Sequence, residues 1–204
     1  VTTTDELIPS GETSSYRSNP ERLSEFALSR RDPQYVGRSK VMRQIERDRE
    51  AGKALPEEVM KVYEALTKAG IANDPANTDI GSTIFANMPG DGSAREQAAS
   101  CQRVMGASAN FAKQYATKRY RSNCINWGMT PFLVENPEVF ELGDYIFVPG
   151  LREAVLENKA SFSAYAVKPD GTVTEFPVST GALTEAERQI IADGCLINYY
   201  RNNQ

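Results

Sequence analysis

The chain has 204 residues, enough for one domain whose own core needs no disulfide or metal staple. Hydrophobic residues make up 40% and charged residues 25%, and the net charge of −4 argues against a basic, phosphate-tracking nucleic-acid module. Histidine is absent, so this chain alone cannot supply a Ser-His-Asp triad, a Cys-His dyad or a His-ligated zinc.

Residues 1–19 are rich in Thr, Ser, Pro and Gly and read as a loop. Asp5 and Arg17 lie in it, and long loops without structure of their own often carry function. The competing reading is a surface loop whose charges do nothing. Asn19-Pro20 marks a helix start, with Asn as N-cap and Pro at the first helical position. That helix carries Leu23, Phe26 and Ala27 on one face and stops before Pro33. Residues 38–69 read as two helices broken near Gly52. The second starts at Pro56, sets Val59, Val62, Tyr63 and Leu66 on one stripe, and ends at Gly70. Eight Lys/Arg and six Asp/Glu intermix over 38–69, which is the pattern of an amphipathic pair with a solvated outer face.

From residue 80 the pattern becomes α/β. Strands are expected at 82–86, 107–111, 131–134 and 145–148, and helices at 93–105, 115–127 and 151–158. Residues 162–167 and 172–178 flank Lys168-Pro-Asp-Gly171, a hairpin signal. A last helix opens at Thr184, whose spacing to Glu187 is that of a capping box, and runs past Ile197.

The three cysteines, Cys101, Cys124 and Cys195, show no C-x-x-C spacing. They fit packed free thiols in a reducing, cytoplasmic setting better than a metal site on this chain. No apolar run approaches the ~20 residues of a membrane span. Trp127 is expected in the core. Lys113, Lys118, Arg119 and Arg121 cluster with Tyr115 and Tyr120 and read as a solvated helix face, not a nucleic-acid patch.

The stretch Met88-Pro-Gly-Asp-Gly-Ser93-Ala-Arg-Glu-Gln97 carries the most chemistry. A strand enters a glycine-rich turn that opens a helix. Gly90 and Gly92 would let the backbone approach a ligand closely. A helix start favours an anion, and Arg95 presents a fork suited to a carboxylate or phosphate. No Lys-Ser/Thr pair follows the glycines, so this is no P-loop, and Arg95 stands where a dinucleotide fingerprint has its third glycine. The alternative is an ordinary capping box, with Ser93 as N-cap and Glu96 reaching back.

Taken together, these loops resemble the C-terminal swivel domain of the aconitase family. Thr3-Thr4-Asp5, with Arg17 twelve residues on, looks like the family's entry loop. Gly92-Ser93-Ala94-Arg95-Glu96 looks like its G-S-S-R-E helix start. Arg121-Ser-Asn-Cys-Ile-Asn-Trp-Gly128-Met-Thr-Pro131 and Gly143-Asp144 follow in family order. The likeness is nearest to bacterial aconitase-family hydratases.

The resemblance implies an α/β fold: a swivelling β/β/α domain with a mixed sheet, flanking helices and an inserted helical pair within 33–80. It implies one domain of a larger protein, inactive as this chain alone. Ser93 would be the catalytic base. Arg17, Arg95 and Ala94 would hold substrate, with Asp5, Glu96 and Gly92 in support. The reaction would dehydrate and rehydrate a hydroxy-di- or tricarboxylate. A [4Fe–4S] cluster would be held by cysteines of the partner domains, with no metal on this chain. Ala94 stands where the family has a second serine, and Gln97 where it has His, which sets citrate and isocitrate in question. The alternatives are a separate small subunit of an isopropylmalate- or homoaconitate-type isomerase, and a non-catalytic anion-binding regulatory module.

Overall fold

A computed structural model describes every residue but Ser10, Glu12 and Arg17, with Ser14 by its backbone alone. In chain order the elements are β1 (Thr2–Thr3), α1 (Thr4–Leu7), α2 (Pro20–Ser24), α3 (Tyr35–Glu50), α4 (Glu57–Lys68), β2 (Ser82–Ala86), β3 (Pro89–Asp91), α5 (Arg95–Val104), β4 (Ala107–Ala112), α6 (Lys118–Asn126), β5 (Thr130–Leu133), β6 (Tyr145–Phe147), α7 (Leu151–Leu156), β7 (Phe162–Val167), β8 (Val173–Val178), α8 (Glu185–Asp193) and α9 (Leu196–Asn202).

The fold is α/β, with parallel and antiparallel pairing kept in separate sheets. β2, β4 and β5 run parallel with β4 in the centre, while β6, β7 and β8 form an antiparallel meander. A bridge between Leu133 and Ser179 joins the two. Ala109 and Phe111 on β4 meet Ala164, Ala166 and Phe176 of the meander in one apolar cluster, with Phe111 stacked on Phe132 at 4.9 Å. On the other side of β4, α5 and α6 contribute Ala98, Cys101, Tyr120 and Cys124 to a second cluster. The layers are therefore helix, parallel sheet, antiparallel sheet.

The expected helical pair is α3 and α4. Val59, Tyr63 and Leu66 of α4 bury against Phe147 and Val167 of the meander. Val62 stays only partly buried because it lies at the edge of that stripe. α3 is tied to the parallel half by polar contacts: Ser39 Oγ donates to the Met105 carbonyl at 2.7 Å, and Arg43 donates to the Val104 carbonyl at 2.7 Å.

Several expectations are corrected. Residues 1–19 are not structureless. β1 pairs in parallel with β3, and α1 opens with a full capping box between Thr3 and Glu6. The helix expected at 115–127 starts at Lys118, because the Thr117 hydroxyl caps it by accepting from Tyr120 N. The C-terminal helix does form the Thr184–Glu187 box, but it breaks at Gly194 (φ 97°) into α8 and α9. Trp127 is not in the core. It is the C-cap of α6 and 38% exposed.

Candidate active site

β3 carries the backbone into a turn at Gly90 (φ 100°) and Gly92 (φ 132°), and the turn leads to Ser93. Both glycines serve close approach, though to the protein itself and not to a ligand. A Cβ at Gly90 would overlap the Tyr120 ring, and one at Gly92 would overlap the Thr4 hydroxyl. The turn is held by the segment leading into α6 as well. Ala116 N donates to the Pro89 carbonyl at 2.9 Å, and Thr117 Oγ1 donates to the Gly90 carbonyl at 3.2 Å.

Ser93 does not cap the helix. The N-cap is Ala94, without a side-chain cap bond, and Ser93 lies one residue upstream, exposed. A capping box contributes only about 0.5–2 kcal/mol. Closure of Gly92 onto Thr4 shifts the helix start to Arg95 and leaves the serine hydroxyl outside the helix. The first-turn N–H groups of α5 therefore lack a side-chain cap, the condition under which a helix start receives an anion.

Ser93, Arg95 and Glu96 line a cavity of about 330 Å³ together with Lys118, Arg119, Ser122 and Asn123 of α6. That size is at the low end for small-molecule sites, roughly 300–1,000 Å³. The Arg95 Nε is buried and has no hydrogen-bond partner among the described residues. A buried guanidinium N–H left without an acceptor is costly unless a ligand supplies one. Three cations thus face the cavity against one carboxylate, on a chain whose net charge is −4.

Of the residues expected here, Ser93, Arg95 and Glu96 come together. Ala94 and Gly92 adjoin them in the chain. Asp5 does not line the cavity. Its carboxylate pairs with Arg30, next to Thr4 where that residue packs on Gly92. Arg17 lies outside the described residues. Arg121 turns away, donating to the Thr180 and Ala182 carbonyls at 2.9 and 2.8 Å and pairing with Glu187, so it fastens α6 to α8.

Lys118, Arg119, Ser122 and Asn123 were not read from sequence as site residues. One signal was present: α6 opens on two cations with no acidic residue in its first turn, which opposes the helix dipole.

Behind the cavity, Gln102 of α5, Asn110 of β4 and Tyr120 of α6 form a buried ring of hydrogen bonds. Gln102 Nε2 donates to Asn110 Oδ1 at 3.1 Å, Asn110 Nδ2 to the Tyr120 hydroxyl at 3.0 Å, and that hydroxyl to Gln102 Oε1 at 2.6 Å. The ring fixes the spacing of the two helices that line the cavity. Asn110 also donates to Cys124 Sγ at 3.5 Å. Burial pushes the Cys124 thiol up to about 12, against the opposing pull of its hydrogen bonds to Tyr120 and Asn110.

Cys124 is therefore no thiolate nucleophile at neutral pH. Cys101 is buried too, its thiol also pushed up by burial, and no three His, Cys, Asp or Glu side chains converge as metal ligands among the described residues. These residues do not fit an iron–sulfur cluster.

A pH dependence follows. The thiol ionises near its ordinary 9.0 once unfolded but near 12 when folded. Between those values the unfolded chain holds fewer protons, so stability falls as pH rises from about 9 toward 12. Urea midpoints across that range should decline, and less steeply in Cys124→Ala. Equal slopes would show that the thiol titrates alike in the folded and unfolded states.

With the geometry in place, comparison with known proteins decides the lineage. No family model matches the chain. The methanogen homoaconitase small subunit of Methanocaldococcus jannaschii is 30% identical over 138 residues, 67% of this chain and 72% of that protein. The chain belongs to the aconitase family. Its part of that family is the swivel domain. The crystal structure of 3-isopropylmalate dehydratase from the same organism superposes with a TM-score of 0.55 at 20% identity, covering 98% of this chain and 87% of that one. That likeness supports the aconitase-type fold. Both named relatives come from M. jannaschii, not from a bacterium, so the expected bacterial affinity is not what they support. No helix among the described residues is long and apolar enough to cross a membrane.

Proposed function

We propose that this chain is the substrate-gripping half of an aconitase-type hydro-lyase site, acting in the cytoplasm on a hydroxy-di- or tricarboxylate. The observation that carries the reading is the cavity lined by exposed Ser93 and by Arg95, whose buried Nε has no acceptor among the described residues. Arg95 holds a substrate carboxylate by charge-assisted hydrogen bonds. Ser93 removes the proton from the carbon next to that carboxylate. Stabilisation of its alkoxide by the α5 start and the neighbouring cations makes a poor base usable. The Lewis acid for the departing hydroxyl would be a [4Fe–4S] cluster on the partner, since the cysteines of this chain do not fit one. The small-subunit name of the homoaconitase relative supports a large partner, and the reading holds whether that partner is a separate subunit or part of the same protein.

The reading is tested by titrating the 204-residue chain with tricarballylate, a non-reacting tricarboxylate, and following amide shifts. Shifts should concentrate at Ser93, Arg95, Lys118 and Arg119. Arg95→Met should weaken binding about tenfold or more, the worth of one charged hydrogen bond. Binding that survives Arg95→Met unchanged would remove the carboxylate-gripping role.

A further inference from the structure

Three cations reach the cavity, and gripping one carboxylate beside Ser93 employs only Arg95. Lys118 and Arg119 are left without a role in that step, yet their placement is unfavourable. They are the first two residues of α6, with no acidic residue in that turn, where a cation opposes the helix dipole. Neither forms an ion pair among the described residues. Some arginines elsewhere are tied down, Arg38 to Asp32, Arg43 to Glu21, Arg49 to Glu46 and Arg121 to Glu187.

Two further features mark this side of the cavity as built for a ligand. Ser122 follows Lys118 by four residues and Asn123 follows Arg119 by four, so each polar side chain sits one turn below a cation on the same wall. The wall is also rigid. Tyr120, between the two pairs, is fully buried in the ring with Gln102 and Asn110, and Thr117 ties the start of α6 to Gly90.

We propose that Lys118 and Arg119, with Ser122 and Asn123 beneath them, form a second anion subsite in the same cavity. It reads an acid group of the substrate other than the one held by Arg95. Specificity then lies in how many carboxylates the substrate carries and how far apart they stand. Arg95 and Ser93 address the reacting end, and the α6 wall addresses the distal end. This inference rests on the carboxylate reading of the cavity given above.

The test compares two probes on the 204-residue chain, tricarballylate with three carboxylates and butyrate with one. Dissociation constants come from amide-shift titrations of the wild type, of Arg95→Met and of the double variant Lys118→Met/Arg119→Met. The wild type should prefer tricarballylate about tenfold or more, with shifts at Ser122 and Asn123 that butyrate does not produce. In the double variant the preference should shrink to within about twofold. Its melting temperature should hold or rise, since both side chains are exposed and leave an unfavourable helix position. A double variant that keeps the full preference, or weakens both acids alike, overturns the second subsite. If Arg95→Met abolishes both acids in that case, the carboxylate reading stands without it. If neither acid binds the wild type, both readings fall.

Discussion

Replacing Gly90 by alanine should destabilise the protein by about 2–5 kcal/mol, from two separate causes. Gly90 has φ 100°, and a side chain in left-handed conformations costs roughly 1–2 kcal/mol. Its Cβ would also overlap the ring of Tyr120, and overpacking a filled core costs about 1–3 kcal/mol. Tyr120 cannot step aside easily, because its hydroxyl is locked between Asn110 and Gln102. For a chain of this length the expected drop in melting temperature is on the order of 10 °C. Gly52→Ala is the control. Gly52 also has a positive φ, 77°, but a Cβ there meets open space, so only the strain remains. Equal melting temperatures for the two variants would mean that the Tyr120 ring yields, and that it does not wedge the turn that carries Ser93.

The two glycines of that turn also show how far the sequence could be read. Their freedom was legible, and so was a special turn before a helix. What the freedom served was not. Gly92 admits Thr4 from the far end of the chain, and nothing local to residues 88–97 announces that partner. The same limit governs the caps. Thr184 with Glu187 and Ser93 with Glu96 share one spacing, yet only the first closes into a capping box. A cap is a local gain of about 1 kcal/mol, and packing of the N-terminal segment on Gly92 outweighs it. Thr3 with Glu6 does form a box that went unread, because the surrounding Ser, Pro and Gly read as loop.

Strands β2, β4, β7 and β8 and helix α4 were legible because apolar periodicity and turn residues agreed over their whole length. The site was half legible. Ser93, Arg95 and Glu96 are neighbours in the chain, whereas Lys118 and Arg119 join them only because α5 and α6 pack side by side on β4. Without that packing, two cations at a helix start read as a solvated face. The unfavourable dipole was the available clue, and it gains meaning once the cavity is seen.

Loss of the Ser93 hydroxyl should produce the largest functional effect. In the complete enzyme, with its large partner present, Ser93→Ala should lower kcat by about 10²–10⁴-fold, the usual contribution of a positioned base. KM should change little, because the cations proposed to grip carboxylates remain, and a fall in kcat alone marks a group used mainly in the transition state. Arg95→Met should act differently, raising KM as well as lowering kcat, since the proposed role has it hold the substrate before and during reaction. The turnover is read as the ultraviolet absorbance of the double bond conjugated to a carboxylate, which appears on dehydration and disappears on hydration. Stability should be unaffected by Ser93→Ala, because the side chain is exposed and does not cap α5, in contrast to Gly90→Ala. Ser93→Cys is a useful companion. A thiol ionises more readily than a hydroxyl and stands where several cations favour its anion, so partial turnover in Ser93→Cys would support a proton-abstracting role. Full turnover in Ser93→Ala would remove the base assignment outright and leave the cavity as a carboxylate grip whose chemistry is done elsewhere.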